Sequence, residues 1–533
     1  MATPIYSYSG NFPKKRAMPN LRSKALRKIL KITLTAICEI SKSETDDEMK
    51  IRLETVKDYI SNIPRCLVRE FIDLLQSYWC WIHCYYPDNA KSIVLELLLL
   101  PGVTKFQTDE WMNSAGGDLY DKLSRCSTLR TLSICKVPVY HADMYHFNNM
   151  IERLHYLQSL TLIPFDDGRS FHWAISPIAQ YCLNLRELRI VYDGEALIGE
   201  ARGIEQLSHC QALDSLWLLD SSYHAEPQTD KVCILLKGLG NLKFFFHRLM
   251  IPAILKLTEE EEKEGKAKRK FALEHLDTWM EIFYLDKSHE IRNEPLGLAV
   301  HKTVLCTYSL LSLVDSCPNV KNLTLGRPPS CIDRVLTTLP HICTLKLFEF
   351  QLSACKLNNV LLKDGPLRHL TVLEFTEVAD LNYDFFSALA DACPVLEVLK
   401  ISRSCISREG QLKMPKGSRF AFPCLRELKL TRPLDLTGRD EVSRFSGVWH
   451  IGKALISYLL DCAFSISKIH IQFDDIQLEQ SDIPSCEYLI EILLPLKHIS
   501  SLHLVDPPNH IEEELISLLK KHSLVEKIRV DCY

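Results

Sequence analysis

A chain of 533 residues with 47% hydrophobic and 24% charged residues has the make-up of a folded globular protein and excludes an intrinsically disordered one. A formal net charge of -4 gives no global field to draw it onto nucleic acid or an anionic membrane surface. The densest apolar stretch, Ile93 to Leu100, is too short to cross a bilayer, so no membrane partner is expected.

Residues 1–20 read as a flexible tail, polar and then basic, without the apolar core of a signal peptide. That start points to a cytoplasmic location. The short basic runs Lys14 to Arg16 and KEGKAKRKF, ending at Phe271, are of the kind that would add nuclear import. A helical region fills 21–90. Leu26, Ile29, Leu30, Thr33, Leu34 and Ile37 recur at three and four, the period of an amphipathic helix. The polar stretch from Ser41 to Lys50 interrupts it and caps a second helix. Pro64 suits the first turn of a third, in which Leu67, Phe71 and Leu74 make an apolar face.

From 91 to 533 the chain repeats one phrase. Its clearest copy, Cys182 to Ile190, reads C-L-N-L-R-E-L-R-I, and it returns as SCPNVKNLTL ending at Leu325 and ACPVLEVLKI ending at Ile401. The last two apolar positions alternate with a variable one, which is the period of a strand buried on one face. A weak first copy reads Leu95, Leu98, Leu100. Strong copies start at Leu129, Leu157, Leu185, Leu213 and Leu242, at spacings of 28, 28, 28 and 29 residues. A charged insertion near 257–271 follows, then a degenerate strand at Trp279, Ile282 and Tyr284. Regular copies resume at Val320, Ile342, Leu370, Leu396 and Leu425. They continue at Ile466, Ile499 and Val525, with a second insertion around residues 434–451. One strand and one helix per 28 or so residues predicts an α/β leucine-rich-repeat solenoid. Its parallel sheet would line a concave face with helices outside, and the N-terminal helices would cap it.

No phosphate-binding loop, H-E-x-x-H or G-x-S-x-G is present, so no catalytic residue, cofactor or enzyme activity is expected. The 20 cysteines form no C-x-x-C pair, and Cys80, His83 and Cys84 have no second pair at zinc-site spacing, so no metal is expected. Cys126, Cys182, Cys210, Cys317 and Cys393 each stand three residues before the first apolar letter of a copy, where a small side chain packs. The letter between the last two apolar ones should face the concave side. It reads Arg189, Trp217 and Phe246 early in the chain, with Phe244 one strand position before, and Phe283 in the degenerate copy. Later it reads Lys346, Lys400, Lys429, His470 and Arg529. Aromatics with arginine on a rigid face are the residue types that dominate protein interfaces. They point to a protein partner with an apolar anchor beside an acidic segment, and lysines without interleaved aromatics argue against nucleic acid. The bland alternative is that the insertion covers the aromatics and the lysines are only solvated.

The repeats with their helix-ending cysteines resemble those of F-box/LRR proteins, over roughly 90–533. That resemblance implies a substrate receptor of a cullin-RING ubiquitin ligase, holding an adaptor at its N-terminus and a target with its repeats. I-P-R-C-L-V-R-E-F-I-D-L-L, from Ile63, is similar to the opening of an F-box, which would give Pro64, Leu67, Phe71 and Leu74 a Skp-type adaptor to hold. Thr33 to Cys38 is similar instead to the core of an elongin-binding box, implying contacts by Leu34 and Cys38 and a cullin at the following segment. Lys42 stands where that box carries an apolar residue. The other reading of 21–90 is a plain cap on the first repeat, in a leucine-rich-repeat scaffold with no ubiquitin role.

Overall fold

The computed structural model describes residues 21–43, 45–82, 88–99, 102–108, 112, 116–137, 144–164, 172–192, 203–220, 229–247, 249–277, 279–281, 300–302, 307–326, 332–351, 367–379, 381, 383–402, 422–431, 465–472, 500–505 and 527–531. The expected tail at 1–20, the residues His83, Cys84 and Phe283, and the insertion at 434–451 lie outside them.

Four helices open the chain: α1 (Leu21–Ile40), α2 (Asp46–Ser61), α3 (Arg65–Ile82) and α4 (Asp88–Leu98). The three-and-four spacing in α1 becomes a buried line of Leu26, Leu30, Thr33, Ile37 and Ile40. Thr45 caps α2, its side chain accepting the Glu48 N–H at 3.3 Å, which satisfies one donor that a helix start leaves open. The Pro64 carbonyl accepts from Leu67 and Val68 at the start of α3, as a residue just ahead of a helix should. Glu96 of α4 ties the helices together, pairing with Lys57 of α2 at 3.2 Å and with Lys122, farther along the chain, at 3.6 Å. Desolvation opposes a charge on Lys57, but its two carboxylate partners outweigh it and hold its pKa above the usual lysine value.

The expected strand at Leu95 to Leu100 is a correction: Leu95 and Leu98 belong to α4. The run Ile93, Val94, Leu97 and Leu98 is buried at helical spacing. The first strand is instead β1 (Lys105–Gln107), whose repeat letters are Val103 and Phe106.

Strands and helices then alternate: α5 (Gly116–Leu123), β2 (Thr131–Val137), α6 (Met144–Arg153), β3 (Ser159–Pro164), α7 (Ile175–Tyr181), β4 (Glu187–Tyr192), β5 (Ser215–Asp220), α8 (Thr229–Gly238) and β6 (Phe244–Phe246). A 3-10 helix, Ile204–His209, replaces the α-helix before β5. The strands β1 to β6 form one six-stranded parallel sheet in chain order. Its register equals the sequence spacing: Ser159 pairs with Glu187, Glu187 with Ser215 and Ser215 with Phe244. Each strand entry shares one acceptor, as the Gln158 carbonyl takes the N–H of both Arg186 and Glu187 at 2.8 and 3.0 Å. The same pairing recurs from copy to copy, so a one-residue slip would orphan buried backbone groups.

After β6 the rhythm stops for a visible reason. The third apolar letter of that copy is His247, buried, whose Nδ1 accepts the Leu249 N–H at 3.1 Å and starts α9 (Met250–Lys263). The insertion's helix packs on α8, with ion pairs from Lys237 to Glu260 and from Asp230 to Lys256. It therefore lies with the helices, and α9 is not a cover for the aromatics. Close packing continues at the end of α8, where a Cβ on Gly238 would stand 2.4 Å from Ser208 Cβ.

The chain divides into two compact units at Glu264 and Gly265, and Gly265 takes the left-handed φ of 65° that favours glycine. Beyond Gly265 the chain continues with β7 (His275–Asp277), a two-stranded ribbon of β8 (Trp279–Glu281) and β9 (Val300–Lys302), α10 (Thr307–Ser316), β10 (Asn322–Gly326), α11 (Ile332–Thr338), β11 (Thr344–Gln351), β12 (Val372–Ala379) and α12 (Tyr383–Ala392). The strands β13 (Val398–Ser402), β14 (Glu427–Thr431), β15 (Lys468–Gln472), β16 (Ser501–Val505) and β17 (Lys527–Asp531) follow. A nine-stranded parallel sheet runs from β7 directly to β10 and on to β17. Among the described residues the strands pair as this nine-stranded sheet, the six-stranded sheet and the ribbon. A copy begins at Leu273, where Leu276 pairs with Leu323 and Asp277 takes the variable position; of the copy expected at Trp279, Ile282, Phe283 and Tyr284 lie outside the described residues. Trp279 pairs away into the ribbon.

The buried letters form the core of each unit. Leu188, Ile190, Leu216, Leu345, Leu347, Leu373 and Phe375 are at most 1% exposed. Each such side chain contributes on the order of 1.5–3 kcal/mol when fully buried. Helix packs on strand through contacts such as Phe375 of β12 with Phe385 of α12, edge to face at 5.5 Å. These features make the chain a leucine-rich-repeat α/β fold.

Candidate functional site

Five repeat cysteines settle one question first. Each closes the turn from helix to strand, the Cys182 carbonyl accepting the Leu185 N–H at 3.1 Å and the Cys210 carbonyl the Leu213 N–H at 2.9 Å. Their side chains are buried, and desolvation pushes the Cys182, Cys317 and Cys393 thiols up to about 12 and those of Cys126 and Cys210 up to about 11. A thiol held protonated is a poor nucleophile and a poor ligand. Iodoacetamide on the native protein at pH 8 should label the part-exposed Cys38, Cys343 and Cys424 while leaving these five unmodified until urea is added. Mass-spectrometric mapping checks this, and modification of Cys182 or Cys317 without denaturant would contradict it. Among the described residues no cluster of three or more histidine, cysteine or acidic side chains could hold a metal ion. No helix among them is long and apolar enough to cross a membrane.

The variable letters are where the side chains become available. In the six-stranded sheet Ser133, Thr161, Arg189, Trp217 and Phe246 are paired in register on one face. Neighbouring strands lie about 4.8 Å apart, so flat groups at paired positions can lie against one another. Trp217 and Phe246 do so, stacked at 3.7 Å between centroids and 23° between planes. On the other side of Trp217 the Arg189 guanidinium carbon stands 4.6 Å from the ring centroid. Pairs of these two kinds are worth about 0.5–2 kcal/mol each.

Residues two positions earlier on the same strands fix the stack. Glu187 accepts from Arg189 Nε at 2.8 Å and Nη2 at 2.7 Å, and its other oxygen accepts from Ser159 Oγ at 2.9 Å. Trp217 Nε1 donates to Ser215 Oγ at 3.0 Å. A chain of contacts therefore runs Ser159, Glu187, Arg189, Trp217, Phe246 across β3 to β6. Phe246 is a correction to an exposed aromatic: it is 8% exposed, because the indole covers it. Trp217 and Phe244 remain half-buried and carry the accessible aromatic surface. Glu187, Ser159 and Ser215 were missed by the sequence reasoning, although their place two residues before the variable letter marks the same sheet face.

The variable row of the nine-stranded sheet is Asp277, Thr324, Lys346, Glu374, Lys400, Lys429, His470, His503 and Arg529, paired in register. Lys346 pairs with Glu374 at 3.3 Å, and the rings of His470 and His503 meet edge to face at 4.4 Å. Lys346, Lys400, Lys429 and His470 are half-buried, and Arg529 is placed by its register with His503. The predicted residues thus fall into two rows on two sheets.

Among the N-terminal positions, Phe71 is fully buried with Leu75 and Trp79, while Leu34, Cys38, Leu67 and Leu74 are half-buried and Pro64 is exposed. Gln76 Nε2 of α3 donates to the Gln107 carbonyl at 2.7 Å, so α3 meets the edge of β1.

No protein-family model matches the chain, and no curated protein sequence matches it. Among solved structures it is similar to an internalin, InlF, from Listeria monocytogenes, with 14% identity, 72% of this chain and 82% of that one covered, and a TM-score of 0.32. It is also similar to the leucine-rich repeat-containing protein LegL7 from Legionella pneumophila, with 12% identity, 57% and 83% covered, and a TM-score of 0.27. The repeat assignment stands on the chain's own strands and register.

Proposed function

We propose that the chain is a non-enzymatic protein-recognition scaffold that captures a partner on the sheet face bearing Arg189 and Trp217. One observation carries this reading: Glu187 and Ser215 fix an arginine and a tryptophan in a stacked row, on rigid strands, with the indole partly open. Side chains ordered before contact give up little entropy on binding, and tryptophan and arginine are the residues most often central to interfaces.

The finer reading is a substrate receptor of a cullin-RING ubiquitin ligase, with the N-terminal helices holding a Skp-type or elongin adaptor. Its support is the resemblance at 33–38 and 63–75, together with half-buried Leu34, Cys38, Leu67 and Leu74. Phe71 is not a usable contact in the folded protein, since it is already covered. The alternative is a leucine-rich-repeat scaffold without a ubiquitin role, supported by the hold of Gln76 on β1.

Affinity capture from cells separates the claims. Trp217→Ala should lose the sheet-face partner and keep any adaptor. Leu67→Asp with Leu74→Asp should lose the adaptor and keep the partner. Retention of every partner by Trp217→Ala overturns the recognition face, and absence of both adaptor types from wild-type captures overturns the ligase reading alone.

A further inference from the structure

We propose that Glu187 makes the face bearing Arg189 and Trp217 selective for an uncharged partner segment, one with an apolar side chain and no carboxylate beside it. This selectivity rests on the reading of that face as the capture surface. A free arginine on an interface invites a carboxylate, which its forked donors fit. Here that place is filled from within the chain. Glu187 Oε1 accepts from Arg189 Nε at 2.8 Å and from Nη2 at 2.7 Å, and Ser159 Oγ donates to its other oxygen at 2.9 Å. The pair stays partly open, its side chains 36% and 33% exposed. A second carboxylate would therefore meet the anion of Glu187 as closely as the guanidinium, and the repulsion offsets the attraction.

The neighbouring positions add no charge. On β2 and β3 the two paired rows of this face are Thr131, Ser133, Ser159 and Thr161, and on β5 and β6 they are Ser215, Trp217, Phe244 and Phe246. Over these five strands, about 19 Å across, Arg189 and Glu187 are the charged members of the two rows, and they cancel. A segment laid across the strands meets hydroxyl groups at one end and aromatic carbon at the other.

The stack also limits where the apolar side chain can sit. Phe246 covers one side of the Trp217 ring at 3.7 Å, and the Arg189 guanidinium stands over the other at 4.6 Å. The incoming group is left the indole edge and the half-buried Phe244 on the next strand. Nucleic acid is disfavoured for the same reasons. Both sides of the indole are closed to a stacking base, and the one cation in the two rows is already neutralised, leaving none to hold a phosphate.

The test pans a phage-displayed library of random peptides on the full chain. Peptides recovered by the wild type and lost by Trp217→Ala should carry an apolar residue and be depleted in aspartate and glutamate relative to the input. Glu187→Gln keeps the shape of the side chain and an acceptor for Arg189 but removes the charge, and it should reverse that depletion. In fluorescence anisotropy with one recovered peptide, a glutamate added beside the apolar residue should weaken binding to the wild type by about fivefold. The same addition should not weaken binding to Glu187→Gln. A merely structural Glu187 would instead lower the affinity for every peptide alike. Acidic enrichment in the wild-type pool, which needs no variant to fold, would overturn this inference alone, and so would pools of equal composition from the wild type and Glu187→Gln. An empty pool, or one that Trp217→Ala retains, would overturn the recognition face and this inference with it.

Discussion

Phe375→Ala should lower the stability of the unit containing the nine-stranded sheet by about 3–5 kcal/mol, the range for deleting a buried phenyl ring. Phe375 is fully buried on β12, fourth from one end of its sheet, and its ring meets Phe385 of α12 at 5.5 Å and 65°. Truncation removes the ring's transfer energy, its edge contact and the surface that α12 packs on. The site cannot collapse to fill the space, because the pairing of β12 with β11 on one side and β13 on the other fixes the backbone. Urea unfolding followed by circular dichroism checks the prediction. A midpoint within error of wild type would mean that α12 and β12 are not packed as described.

Trp217→Ala should weaken partner binding by at least about 2 kcal/mol, roughly thirtyfold in Kd, as for a central interface tryptophan. The substitution removes the contact surface and also the middle of the stack, leaving Arg189 without its ring and Phe246 without its cover. Trp217→Phe restores a flat apolar group at the same register position but not the Nε1 donor to Ser215. It should recover most of the affinity, whereas a variant that failed by unfolding would not be rescued in this graded way. Calorimetry or surface plasmon resonance with the captured partner reads both. Equal affinities for wild type and alanine would place recognition elsewhere.

Why the fold was legible and the site only partly so follows from the kind of residue each depends on. Spacing from Leu157 to Leu185 to Leu213 translates directly into register, because one repeat adds one strand to a parallel sheet. The same letters misled at Leu95 to Leu100, where consecutive leucines satisfy both a strand and a helix period. They passed over the copy at Leu273, whose third letter is the polar Thr278. The ending of the first sheet turned on His247, a polar residue in an apolar slot whose role as an acceptor for α9 needs three dimensions to see. In the site, the variable letter located Arg189 and Trp217 on one face. It could not show that Ser159 would hold Glu187 or that the indole would bury Phe246, because these contacts join residues 28 and 29 apart.

The most direct test of the central claim, that recognition occurs on the sheet face and not on the helices, is site-specific photocrosslinking. Benzoylphenylalanine would replace Thr161, which is paired in register with Arg189, or Tyr145, which is 72% exposed on α6. The account predicts a crosslinked partner from position 161 and none from position 145. A crosslink from position 145 with none from position 161 would contradict it.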